Sequence, residues 1–174
     1  MKGYKQKTIV ILGSALMFVF FIACTVLYKF KGTSINYDLV KTISFRDFSN
    51  QAQLINPSLE YDFNEALKNA YRRQTKLNFV PQNGDLHLEG EIVGYNIMSL
   101  GVRDDNFSAS TQLTLVVRVR YTNNTNHNED FEQDFSTSGT FDSNRLLSDV
   151  ESEIVPEMVR NLVDMIFNAT VANW

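Results

Sequence analysis

The chain is poor in the residues that build most active sites. Its 174 residues include one cysteine and two histidines. One cysteine excludes an internal disulfide, so a folded domain must rest on its apolar core. No spacing of histidine, cysteine and carboxylate has the form of a zinc site. No G-x-S-x-G elbow and no phosphate-binding loop occurs. His87 alternates onto the polar side of a strand pattern, and His127 falls in a loop tip. Both read as solvated. Asp85 with Asp104 and Asp105 lacks the alternating ligands of a calcium loop and reads as a solvated acidic loop. Gly101 and Gly139 read as lone loop glycines. Three N-x-[ST] triplets, beginning at Asn106, Asn123 and Asn168, read as chance matches. Catalysis, a metal and a cofactor are therefore not expected.

Basic charge is also short. Sixteen basic residues face 20 acidic ones, a net charge of −4. Three of the lysines, Lys2, Lys5 and Lys7, lie in the first segment. Without residues 1–23 the balance is 13 against 20, or −7. A general nucleic-acid binder would be basic, so nucleic acid is excluded as a partner. Disorder is excluded as well, because aromatics reach 12% and hydrophobics 44%.

The first segment is informative. Three lysines precede an uncharged stretch whose dense part runs from Ile9 to Ile22. Ala23 and Cys24 follow. This is the layout of a secretory signal with a small residue at the cut. Cleavage would leave Cys24 at the first position, where a lipid can be attached. A second reading stays open. Ile9 to Tyr28 is uncharged and meets the roughly 20 residues that span a bilayer. Residues 1–23 are thus read as a lipoprotein signal peptide, 24–37 as the lipidated cysteine and an extended tether, and 38–174 as one domain.

Within that domain the order is strand, helix, three or four strands, helix. Leu39 to Phe45 is β-branched and reads as a strand. Asn56 and Pro57 signal a helix start. Leu59, Phe63, Ala66, Leu67, Ala70 and Tyr71 then make one apolar stripe, ending near Gln74. Leu77–Val80 is a short strand, followed by a turn at 81–85. Leu86, Leu88, Gly90 and Ile92 alternate with polar residues, and Gly94 marks a bulge. Residues 98–110 read as a polar loop. Leu113 to Tyr121 alternates most clearly of all.

Phe131 to Phe141 fits beside that strand in one register. Centring the hairpin on Asn126 sets Tyr121 against Phe131, Val119 against Gln133 and Val117 against Phe135. On the other face Arg120 meets Glu132 and Arg118 meets Asp134. A slip of one residue would ruin both faces. Ser148 and Glu151 have capping-box spacing for a last helix, about 148–172, with Pro156 expected to kink or restart it. Its stripe includes Val150, Ile154, Met158, Leu162 and Ile166. The fold class expected is α+β: an antiparallel sheet of about four to five strands with two amphipathic helices on one face. Arg118 and Arg120 could grip a phosphate or carboxylate. Cross-strand pairing with Asp134 and Glu132 is the simpler expectation.

Several stretches, taken in order, resemble one family. They are the Cys24 junction followed by Gly32-Thr33-Ser34-Ile35, and Asn56-Pro57-Ser58-Leu59. Asn83-Gly84-Asp85-Leu86, Glu89-Gly90-Glu91-Ile92 and Gly94-Tyr95 come next. Phe131-Glu132-Gln133-Asp134-Phe135 and Val171-Ala172-Asn173-Trp174 complete the series. Across residues 24–174 the chain is similar to the lipopolysaccharide-assembly lipoproteins of Gram-negative outer membranes, the LptE family. The resemblance implies a lipid-anchored protein without enzymatic activity. Such a protein sits inside the LptD-type β-barrel and supports lipopolysaccharide transport to the outer leaflet. It also implies lipopolysaccharide binding through basic residues, for which Arg118 and Arg120 are the candidates. Thr25 after the cysteine is compatible with outer-membrane sorting. A reading of another class is a free lipoprotein on the periplasmic side that holds a small or lipidic ligand in a cleft between helices and sheet.

Overall fold

A computed structural model describes residues 33–100 and 109–173. They belong to the compact unit Gly32–Trp174. Cys24, the signal segment, Gly101, Asp104 and Asp105 lie outside the described residues.

The elements, in order, are β1 (Thr33–Ser34), β2 (Thr42–Phe45), β3 (Ser49–Asn50), α1 (Leu59–Gln74), β4 (Asn78–Phe79) and β5 (Leu86–Leu100). They continue with β6 (Ser110–Asn123), β7 (Phe131–Asp142), α2 (Leu147–Thr170) and β8 (Ala172–Asn173). The main sheet runs β4-β2-β5-β6-β7, with β3 joined to β5. β1 and β8 pair antiparallel as a separate two-stranded ribbon.

The α+β class holds, with one correction: the sheet is mixed. β5, β6 and β7 are antiparallel, whereas β2 runs parallel to both β4 and β5, and β3 runs parallel to β5. The reason is topological. α1 connects β2 to β4 as a crossover, which returns the chain to its starting end and makes the two strands parallel.

β5 and β6 form the backbone of the sheet. Leu86, Leu88 and Ile92 point inward, as do Leu113, Leu115, Val117 and Val119, all at most 1% exposed. The bulge falls where Gly94 marks it: the register shifts between Ile92 and Gly94. An extra residue reverses the inward parity. Even-numbered side chains point in before it, and Tyr95 points in after it, opposite Leu115. β5 continues to Leu100, so residues 98–100, expected in a loop, are strand.

The hairpin register is the expected one at all five positions, from Tyr121 opposite Phe131 to Val117 opposite Phe135. The Tyr121 and Phe131 rings lie 5.3 Å apart, which suits an aromatic cross-strand pair. Gly139 is not in a loop. It lies in β7 opposite Leu113, where a Cβ would approach Met158 of α2 to 3.3 Å. Its lack of a side chain lets the helix sit close.

Both helices present the predicted stripes. Leu59, Phe63, Leu67, Ala70 and Tyr71 of α1 are buried, as are Met158, Val159, Leu162, Val163 and Ile166 of α2. These join the inward sheet residues in one core. Truncating one of them, such as Leu67 to alanine, should cost roughly 2–5 kcal/mol. α1 begins at Leu59 with Ser58 as its cap residue, two positions after Pro57. Asn56 instead turns the chain, accepting from the Ser58 N–H at 3.1 Å. The capping box at Ser148 does not form. Leu146 is the cap residue and offers no side-chain acceptor. α2 also runs unbroken through Pro156. Ser152 and Pro156 are exposed, so water can reach the carbonyl that proline leaves without a helical donor.

Candidate functional site

The sheet face turned away from the helices carries a ladder of opposite charges. Its rungs follow from register. On β6, Arg120 stands between Glu89 of β5 and Glu132 of β7. Arg118 stands between Glu91 and Asp134. Each arginine therefore has a carboxylate on both neighbouring strands. The Arg118 guanidinium donates to Asp134 twice, at 2.8 and 3.1 Å, in the bidentate geometry that suits this pair. Arg120 donates from Nε to Glu132 at 2.9 Å and from Nη1 to Glu89 at 3.0 Å. Arg46, just beyond β2, donates to the other Glu89 oxygen at 3.2 Å. Glu89 thus bridges two arginines.

The proton affinities agree with this pairing. The Arg118 hydrogen bonds hold the Asp134 carboxyl below its ordinary value. Burial pushes Glu89 upward, but the bonds from Arg120 and Arg46 outweigh it and leave Glu89 lowered. Asp134 and Glu132 raise Arg118 and Arg120 respectively. These four groups, Glu89, Asp134, Arg118 and Arg120, are ionised at neutral pH.

The face is an open groove of about 610 Å³ lined by Arg46, Arg118, Arg120, Glu89 and Glu132 with Asp47, Ser49, Gly90 and Glu91. Three arginines there stand among four carboxylates, Asp47, Glu89, Glu91 and Glu132, and Asp134 is bonded to Arg118. An incoming phosphate would have to displace carboxylates already bonded to the guanidiniums. The arrangement suits a hydrated, rigid, polar surface. Arg118 and Arg120 were legible as a pair from the hairpin alone. Glu89, Glu91 and Arg46 were not, because their approach depends on the bulge and on the parallel pairing of β2.

His87 adjoins the ladder, its Nε2 3.8 Å from Glu89, whereas His127 lies in the turn after β6. His87 Nδ1 is 2.8 Å from the Ser44 hydroxyl, which also accepts from the Gly84 N–H. Ser44 is fully buried, which excludes it as an accessible nucleophile. His127 Nδ1 pairs with Asp130 at 2.9 Å in the turn after β6. Asp85 accepts from the N–H groups of Lys41 and Thr42 and so fixes the start of β2. No three of the described His, Cys, Asp and Glu residues are grouped to hold a metal. Among the described residues the space between helices and sheet is mostly core, with a pocket of about 160 Å³ beside Ile35, Leu39, Val40, Leu86, Tyr121 and Thr170. Phe48, Phe63, Tyr71 and Tyr95 fill that space at 0% exposure.

This fold is known in solved structures. The rare lipoprotein B from Shewanella oneidensis superposes with a TM-score of 0.54 at 12% identity, covering 75% of this chain and 95% of that one. Lipoprotein B from Nitrosomonas europaea gives 0.53 at 12% identity, with 77% and 84% covered. Identity this low speaks to the fold alone. No curated protein matches the chain. The family assignment comes from the sequence model for LptE, lipopolysaccharide-assembly, which matches residues 40–170. The fold is a small α+β domain of the kind seen in those lipoproteins. The chain belongs to the LptE lipopolysaccharide-assembly family.

Proposed function

We propose that this chain is an outer-membrane lipoprotein that plugs an LptD-type β-barrel and assists its assembly, supporting lipopolysaccharide transport to the outer leaflet. The family match over residues 40–170 carries this reading. The charge ladder supports it. The interior of an outer-membrane barrel is polar, and a plug needs a firm polar surface to lie against it. A sheet face whose charges are held in pairs offers hydrogen-bonding groups without a large single-sign field.

In this account Cys24 is acylated and residues 1–23 are removed. One acyl chain binds a membrane marginally, at roughly 0.8 kcal/mol per buried CH₂, so stable anchoring takes more than one. Lipopolysaccharide would meet the chain inside the barrel, and Arg118 and Arg120 remain the candidate contacts to anionic lipid or barrel. The role is one of structure and binding, without catalysis.

A photo-crosslinking residue at Ser136 tests the placement. Ser136 is exposed and stands on the ladder face of β7, two residues beyond Asp134. Irradiated cells should yield an adduct with a large barrel protein. Adducts with small soluble proteins alone would contradict the reading.

A further inference from the structure

One end of the domain collects most of its unpaired positive charge. Ten lysines and arginines lie among the described residues. Five of them, Arg46, Lys68, Arg118, Arg120 and Arg145, make ion pairs. Of the other five, Lys41, Arg72, Arg73 and Lys76 gather at one end, and all four are exposed. The fold brings them together. Tyr71, at the end of α1, is bonded to Thr170 at the end of α2. The Lys41 carbonyl accepts from the Asn78 N–H at 2.8 Å. The Lys76 ammonium stands 5.9 Å from the centre of the Tyr37 ring.

Tyr37 is 39% exposed and Leu39 65% exposed. Apolar and aromatic side chains beside cations form the composition that suits a lipid interface. The acidic groups nearby are Asp38 and Asp85, with Glu129 and Asp130 on the adjacent turn. Asp85 is bonded to two backbone N–H groups, Asp130 to Asn123 and His127, and Glu129 to two asparagine side chains. Among the described residues none of the four cations meets a carboxylate: Arg72 donates to the Asn69 side chain at 3.3 Å and lies over the Phe79 ring.

The length of chain before β1 names the occupant. Eight residues lie between Cys24 and Thr33, and the nine steps reach about 30 Å at most. Tyr37 and Leu39 follow within a few residues of β1. We infer that Tyr37, Leu39, Lys41, Arg72, Arg73 and Lys76 form a surface that rests on anionic phospholipid headgroups of the leaflet holding the anchor. The inference rests on an anchor at the chain's start. A span ending at Tyr28 would bring the same surface closer still.

The full chain, with its own anchor, is placed in nanodiscs of phosphatidylcholine alone or with phosphatidylglycerol. A water-soluble amine-acylating reagent then reads Lys41, Lys76 and, as the internal reference, Lys68, which pairs with Asp47. Phosphatidylglycerol should slow labelling of Lys41 and Lys76 about five-fold, the effect of one cation near an anionic surface. Lys68 should not change, and high salt should remove the difference. Arg72→Glu with Arg73→Glu, both exposed, should abolish protection at Lys76. Equal labelling in both discs overturns the inference. The N-terminal peptide of the same digest shows whether Cys24 is acylated, so a missing anchor and a missing contact are told apart.

Discussion

The Tyr95 hydroxyl donates to the Glu151 carboxylate at 2.6 Å, tying β5 just past its bulge to the first turns of α2. The Tyr95 ring is fully buried, and its hydroxyl is pushed well above the ordinary phenol range by burial and by Glu151. It therefore stays a donor at any physiological pH. Tyr95→Phe should cost about 1 kcal/mol, and Glu151→Gln less, because an amide oxygen still accepts. Urea unfolding of both variants checks the order.

Gly90 has no room for a side chain. A Cβ there would lie 2.1 Å from the Arg118 carbonyl oxygen and 2.4 Å from the Phe48 ring. Neither neighbour can move cheaply, because Phe48 is buried and its backbone is held by Asn64 in two hydrogen bonds. Gly90→Ala should destabilise by about 3 kcal/mol. Gly139→Ala meets a flexible methionine and should cost about 1 kcal/mol or less. Thermal melts of the two variants give the comparison.

Asp85 makes stability depend on acid. The Lys41 N–H is the largest influence and lowers its carboxyl, burial opposes, and Thr42 adds to the lowering. A depressed folded value means that the contribution is complete above the unfolded value, about 3.9, and is lost as pH falls through the folded value. Asp85→Asn should therefore cost about 1 kcal/mol near neutral pH. The gap from the parent should close as the pH falls below about 4. Unfolding measured across that range tests the sign.

The ladder should matter to the partner more than to the fold. Its arginine side chains are 48% and 58% exposed, so water and salt screen each pair and the fold gains little from it. Arg118→Glu with Arg120→Glu should leave the melting temperature within a few degrees. The same change sets like charges against Glu89, Glu132 and Asp134 and should strongly reduce recovery of the barrel. Equal recovery would remove this face from the interface.

The β6–β7 hairpin was legible because two independent constraints agreed on its register. Aromatic and aliphatic partners set one face, and Arg118 with Asp134 and Arg120 with Glu132 set the other. The parallel pairing of β2 was not legible. It arises from where α1 returns the chain, which no local pattern records. The capping box failed for a related reason. Ser148 and Glu151 have the right spacing, but Glu151 is drawn to Tyr95 on another element. Half of the charge ladder stayed hidden likewise, since Glu89 and Glu91 meet their arginines only in the observed β5–β6 register. Cys24 and the segment before it were read from pattern and lie outside the described residues.

Cys24→Ser should prevent acylation and block removal of residues 1–23, leaving the chain held in the membrane by its uncleaved apolar stretch. Mass spectrometry of the membrane-extracted chain decides it. An acylated Cys24 at the N-terminus is expected, and an unmodified chain beginning at Met1 would favour the spanning segment.

The central claim is a stable partnership with a large outer-membrane barrel. Purifying the anchored chain from membranes in mild detergent, and identifying what elutes with it by mass spectrometry, tests that claim most directly. The account predicts co-elution with an LptD-type barrel. Recovery of this chain alone, or with small soluble partners only, would contradict it.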